Sequence, residues 1–199
     1  MNVKNLSKLA LAVAVAFPMM ASAESNFVTG AATTTPGAQA RLDFQVTIPK
    51  VLYLQVGTGT YFTNVATVNG VTFTVPAANV GDSGAIAGSA SVAVRVVGNN
   101  GNITLNATTL GALGNGSGDT ISYTQIVGSS DNANLAHPAA FVDGGTSANV
   151  TVTPNIGSKV TDRTANWSFN YSNTAVVPPG TYGGVNANNS RVTYTATMP

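Results

Sequence analysis

A chain of 199 residues with 44% apolar content is long enough for one domain with a sizeable core, and its eight basic and seven acidic groups give no field strong enough to hold a polyanion. Beyond the N-terminal leader the basic residues are Arg41, Lys50, Arg95, Lys159, Arg163 and Arg191, too far apart in sequence for a nucleic-acid or anionic-lipid surface. Cysteine is absent, so folding must rest on packing and backbone pairing alone.

Residues 1–23 carry the three parts of a secretory signal. Lys4 and Lys8 supply the positive start, Leu9 to Met20 form an apolar run broken only by Pro18, and Ala21-Ser22-Ala23 gives a signal peptidase its small residues. The run is about 12 residues, against the roughly 20 a spanning helix needs, so a cut before Glu24 is expected rather than a membrane span. Losing Lys4 and Lys8 leaves six basic groups against seven acidic ones, a net charge of −1. Residues 24–39, rich in Thr, Ala and Gly, predict a flexible arm, and residues 40–199 predict a single domain.

Strand signals dominate from residue 40 onward. Leu42, Phe44, Val46 and Ile48 fall on alternate positions and so on one face of a strand. Pro49-Lys50 interrupts it, as a bulge or a switch between sheets, before a second short strand at 51–56. Asn69-Gly70 between residues 65–68 and 71–75 predicts a hairpin, because that pair tolerates positive φ. A second hairpin is predicted at Gly98-Asn99-Asn100-Gly101, between alternating Val92, Val94, Val96 and alternating Ile103, Leu105. Further strands are predicted at 120–127, 148–153, 166–171 and 191–197. Trp167, Phe169 and Tyr171 share one face of theirs, and Val192 and Tyr194 one face of the last, which makes all five candidate core residues. Many short strands with polar turns predict an all-β fold, an antiparallel immunoglobulin-like β-sandwich, with a jelly roll as the alternative.

Residues that could carry chemistry are few. His137, the single histidine, follows Leu135-Ala136 and precedes Pro138 with no nucleophile motif, and predicts a solvent-facing loop residue. The seven acids of the mature chain mostly sit beside Gly, Ser or Asn, where aspartate serves turns more readily than catalysis. Asp131-Asn132-Ala133-Asn134 alternates oxygen ligands but lacks the glycine and closing glutamate of a calcium loop, which leaves open a weak calcium site there. No catalytic residue, cofactor or metal is assigned.

The run Pro179-Gly180-Thr181-Tyr182-Gly183-Gly184, followed by a loop and the strand Arg191–Thr197, resembles the closing strands of bacterial fimbrial-type exported proteins. Leu42–Ile48 with Pro49-Lys50-Val51-Leu52 is similar to their opening strands. The likeness covers about a third of the chain; the disulfide frequent in chaperone–usher pilins is missing, and Tyr194 stands several residues from the end rather than next to last. In that group each incomplete sandwich is closed by a neighbour's extended strand, so the resemblance implies Leu42, Phe44, Val46 and Ile48 as strand-pairing residues. It further implies self-assembly into a surface filament or matrix and a periplasmic chaperone as partner. The competing expectations are a monomeric module that binds carbohydrate or protein and, third, a glycan-active enzyme.

Overall fold

The computed structural model describes residues 24–35 and 37–199, so the leader at 1–23 lies outside the described residues. The chain divides into two units, one ending at Ile48 and the other running from Pro49 to Pro199. In the first, a short 3-10 turn spans Gly30–Thr33, and the Arg41 guanidinium donates from Nε and Nη2 to the two Glu24 carboxylate oxygens at 2.9 and 2.8 Å. Residues 42–48 run without helix, turn, bend or strand partner.

The second unit is an antiparallel β-sandwich. Its ten strands are β1 (Leu52–Val56), β2 (Ile86–Ala87), β3 (Val92–Gly98), β4 (Ile103–Thr108), β5 (Leu113–Gly114), β6 (Thr120–Ile121), β7 (Ile126–Ser130), β8 (Val150–Val152), β9 (Thr161–Tyr171) and β10 (Thr193–Thr197). The larger sheet is built around β9, with β3 and then β1 on one side and β7 on the other. Both Ile86 of β2 and Ile126 of β7 pair with Tyr171, so β2 extends the side that β3 occupies. Between Ile86 and Val92 six steps of chain face only four of β9, a two-residue bulge that splits one long strand into β2 and β3. The smaller sheet runs β10-β4-β8, and β5 pairs with β6.

Alternation explains the core. Val92, Val94 and Val96 of β3, with Ala165, Trp167 and Phe169 of β9, face Ile103, Leu105 and Ala107 of β4 and Val152 of β8. Leu135, Phe141 and Tyr123 from the connecting segments close the interior. Trp167 is fully buried and donates its indole N–H to the Leu135 carbonyl at 3.1 Å, so the large ring leaves no donor unpaired. Burial of a side chain as large as Leu105 contributes about 1.5–3 kcal/mol.

Several expectations need correction. The sandwich begins at Pro49 rather than at residue 40, and strand pairing starts only at Leu52, after the Pro49-Lys50 interruption. No hairpin forms about Asn69-Gly70. The Asn69 side-chain oxygen instead accepts from Thr58 N (2.9 Å) and Oγ1 (3.1 Å), while Thr72 exchanges bonds with Ser89, its carbonyl accepting from Ser89 N. The 98–101 turn is an arch between sheets, not a hairpin: β3 lies in the larger sheet and β4 in the smaller. Asn99 donates to the Pro49 carbonyl and accepts from Val51 N, Asn100 donates to the Pro199 carbonyl, and Gly101 takes φ +97°. These ties hold the chain across the end of the sandwich, which a two-residue turn could not span. The predicted strand at 120–127 is cut by a 3-10 turn at Tyr123–Gln125, capped by the Ser122 hydroxyl. β9 starts five residues before the predicted 166, because its first residues are polar for local reasons: Thr161 Oγ1 donates to the Gly101 carbonyl, and Asp162 pairs with Arg95.

Candidate strand-acceptor edge

β1 ends the larger sheet and β10 ends the smaller, and the two run beside each other across the gap between the sheets. Each is paired on one side only, β1 with β3 and β10 with β4, which leaves a row of backbone donors and acceptors on the other. The interior side chains here are Leu54 and Val56 of β1 with Tyr194, Ala196 and Met198 at β10, and all five are only partly buried although they pack on the core. In β3 the equivalent Val94 and Val96 are sealed. The interior side chains at the β1 and β10 edges are thus less sealed than those of β3. Along β1 runs a trough of about 420 Å³, bounded by Leu52–Val56 on one wall and residues 63–67 on the other. The Lys50 ammonium bonds to the Pro199 carbonyl and closes one end of the gap.

The candidate pairing residues behave differently from the candidate core residues. Leu42, Phe44, Val46 and Ile48 are between 75% and 87% exposed, in the unit that precedes the sandwich. Trp167, Phe169 and Tyr171 are buried on the inner face of β9; Val192, just ahead of β10, and Tyr194 within it are partly buried against the core.

Tyr194 leads to the residue that sequence reasoning misplaced. His137 is buried, not solvent-facing: its ring meets Phe141, Trp167, Phe169 and Tyr194 edge to face at 4.8–5.7 Å between centroids. Its Nε2 lies 2.9 Å from the Tyr194 hydroxyl. Burial pushes the imidazole down to about 4 and pushes the Tyr194 phenol up, so both are neutral near pH 7. A Cβ at Gly128 of β7 would come within 2.5 Å of Nδ1, so only glycine leaves room for this ring over the strand. The apolar company of His137 in sequence (Leu135, Ala136, Pro138, Phe141) was the available signal.

The Asp131 carboxylate accepts from Asn166 N and Nδ2, both at 2.8 Å, and these bonds hold it below its usual range. The Asn132 side chain caps the 3-10 turn at Ala133–Leu135. The oxygens of Asp131 and Asn132 thus serve the fold, and no group of three potential metal ligands of the His, Cys, Asp or Glu type occurs among the described residues. Compared with protein-family models, with characterised proteins and with solved structures, the chain matches none of them.

Proposed function

We propose that this protein is an exported structural subunit of a surface filament or extracellular matrix, joined to its neighbours by donation of residues 42–48 into the β1/β10 edge of another copy. The observation that carries this reading is the pairing of two unfinished features in one chain. Four large apolar side chains at period two stand exposed, and β1 and β10 each pair on one side only among the described residues. Burying four such side chains contributes about 1.5–3 kcal/mol each, before the entropy of ordering the segment is subtracted. The lengths agree: seven residues at about 3.4 Å each span what the five of β1 require, with one residue to spare at either end. Strand addition of this kind combines ladder hydrogen bonds with side-chain pockets. An edge so open also calls for a periplasmic chaperone before assembly, since unpaired strands aggregate.

Light scattering on the exported protein, which mass spectrometry should find starting at Glu24, tests the reading. Concatemers are expected at high concentration or with the assembly machinery, and they should persist on dilution because an inserted strand leaves slowly. Phe44→Asp and Val46→Asp should block them without lowering the melting temperature of the monomer. A protein that stays monomeric with its machinery present, or concatemers indifferent to both substitutions, would refute the proposal.

A further inference from the structure

On the face of the larger sheet turned away from the core, Gln55, Arg95 and Thr164 stand in one cross-strand row and Ala93 and Asn166 in the next. The small Ala93 and Thr164 lie low between taller neighbours, and the surface sinks into an open trough of about 510 Å³ with Asp131 on its far side. That size falls within the roughly 300–1,000 Å³ of small-ligand sites. Beside it, Tyr53, Tyr61 and Phe62 cluster, Tyr61 and Phe62 with ring centroids 4.2 Å apart, and the Arg95 guanidinium covers Tyr61 at 4.0 Å. Tyr61 and Phe62 are 42% and 53% exposed. Phe62 sits at φ +55°, a left-handed conformation that a bulky side chain rarely adopts, and so an aromatic ring is held out where the local backbone preference would not place one.

We infer that this trough binds an uncharged polysaccharide of β-1,4-linked, gluco-configured sugars, with Phe62, backed by Tyr61, as the stacking platform. Equatorial substituents give such a sugar a flat C–H face that packs on an aromatic ring, and an all-equatorial chain forms a ribbon suited to an open trough. Among the described residues, the Thr164 hydroxyl, the Asn166 side-chain oxygen and Arg95 Nη1 have no hydrogen bond within the protein, a mixture of donors and acceptors that suits hydroxyl groups. The charges select against acidic glycans. Arg95 is spent on both oxygens of Asp162, and Asp131, held in its ionised form by Asn166, remains as net negative charge at the rim.

The test is titration calorimetry of the exported protein with cellohexaose, and with a galacturonic acid hexamer as the anionic control. Wild type should bind cellohexaose and bind it at least tenfold more tightly than the acidic oligomer. Phe62→Ala should weaken binding at least tenfold and Thr164→Val several-fold, with melting temperatures unchanged. Phe44→Asp protein should bind as wild type does, because Phe44 does not line the trough. No heat at millimolar cellohexaose, undiminished binding by Phe62→Ala, or preference for the acidic oligomer would overturn the inference while leaving strand donation untouched.

Discussion

Acidification should weaken this fold through His137. In the unfolded chain the imidazole takes up a proton as pH falls past 6.5; in the fold, burial delays uptake until about pH 4. Between those values the unfolded state binds more protons, so the stability that the neutral imidazole contributes falls as pH falls; it is complete above about 6.5 and fully lost below about 4. Two and a half pH units at 1.36 kcal/mol each give a loss of about 3 kcal/mol, a large share of the 5–15 kcal/mol of an ordinary domain. The Asp82 and Asp131 carboxyls are held below their usual range by hydrogen bonds from Asn79 and from Asn166, so their contribution disappears at lower pH and does not mimic the effect. Urea unfolding at several pH values from 7.5 to 4.5 measures the slope, and His137→Phe supplies the reference. The variant loses the bond to Tyr194 at every pH, but its stability should be nearly flat where wild type declines. The Cε1 proton resonance of His137 should also stay at its neutral position at pH 5.5. Parallel stability curves for the two proteins, or an imidazole that titrates near 6.5, would refute the reasoning.

Trp167→Ala should lower stability by about 3–5 kcal/mol in urea melts, since a fully buried ring and its bond to Leu135 are lost together. Phe44→Ala, at a ring 87% exposed, should change the melt of the monomer by less than about 0.5 kcal/mol, and a loss as large as that of Trp167→Ala would mean residue 44 belongs to the sandwich core. Gly128→Ala should cost about 1–3 kcal/mol by displacing His137, and the cost should shrink when combined with His137→Ala; additive losses would place the clash elsewhere.

Where one side chain in two faces the core, the strands were legible: β1, β3, β4, β10 and the second half of β9 follow from alternating apolar residues. Pairing was not. The valines of β3 and the Ile103-Leu105 pair of β4 have the same pattern whether they lie side by side or face each other across a sandwich, and only Asn99 and Asn100, bonded to Pro49, Val51 and Pro199, decide for the arch. Asn69-Gly70 carried a strong turn signal that a bond to Thr58 overrode. The alternation over 42–48 reported a strand's pattern, which says nothing about whose sheet it enters. Of the candidate site, the exposed half was therefore visible in the residues, while the open edge depends on which strands end each sheet, a property of topology alone. His137 was misplaced because its apolar neighbours Leu135, Ala136, Pro138 and Phe141 point to burial but not to the four rings that converge on it.

The arch at 98–101 also sets the order in which this fold can come into being. Sending β4 to the opposite sheet denies β3 a hairpin partner: Val94 pairs with Val56, 38 positions earlier, and with Ala165, 71 positions later, and Asn106 pairs with Thr195, 89 positions later. Pairings separated by 70 to 90 positions are entropically slow to close, and proteins dominated by them fold in milliseconds to seconds rather than microseconds. A growing chain presents residues 42–48 long before it presents Thr193–Thr197. On the proposed strand donation, the donor segment of a chain is thus made before β10, one of the two edges that would receive it.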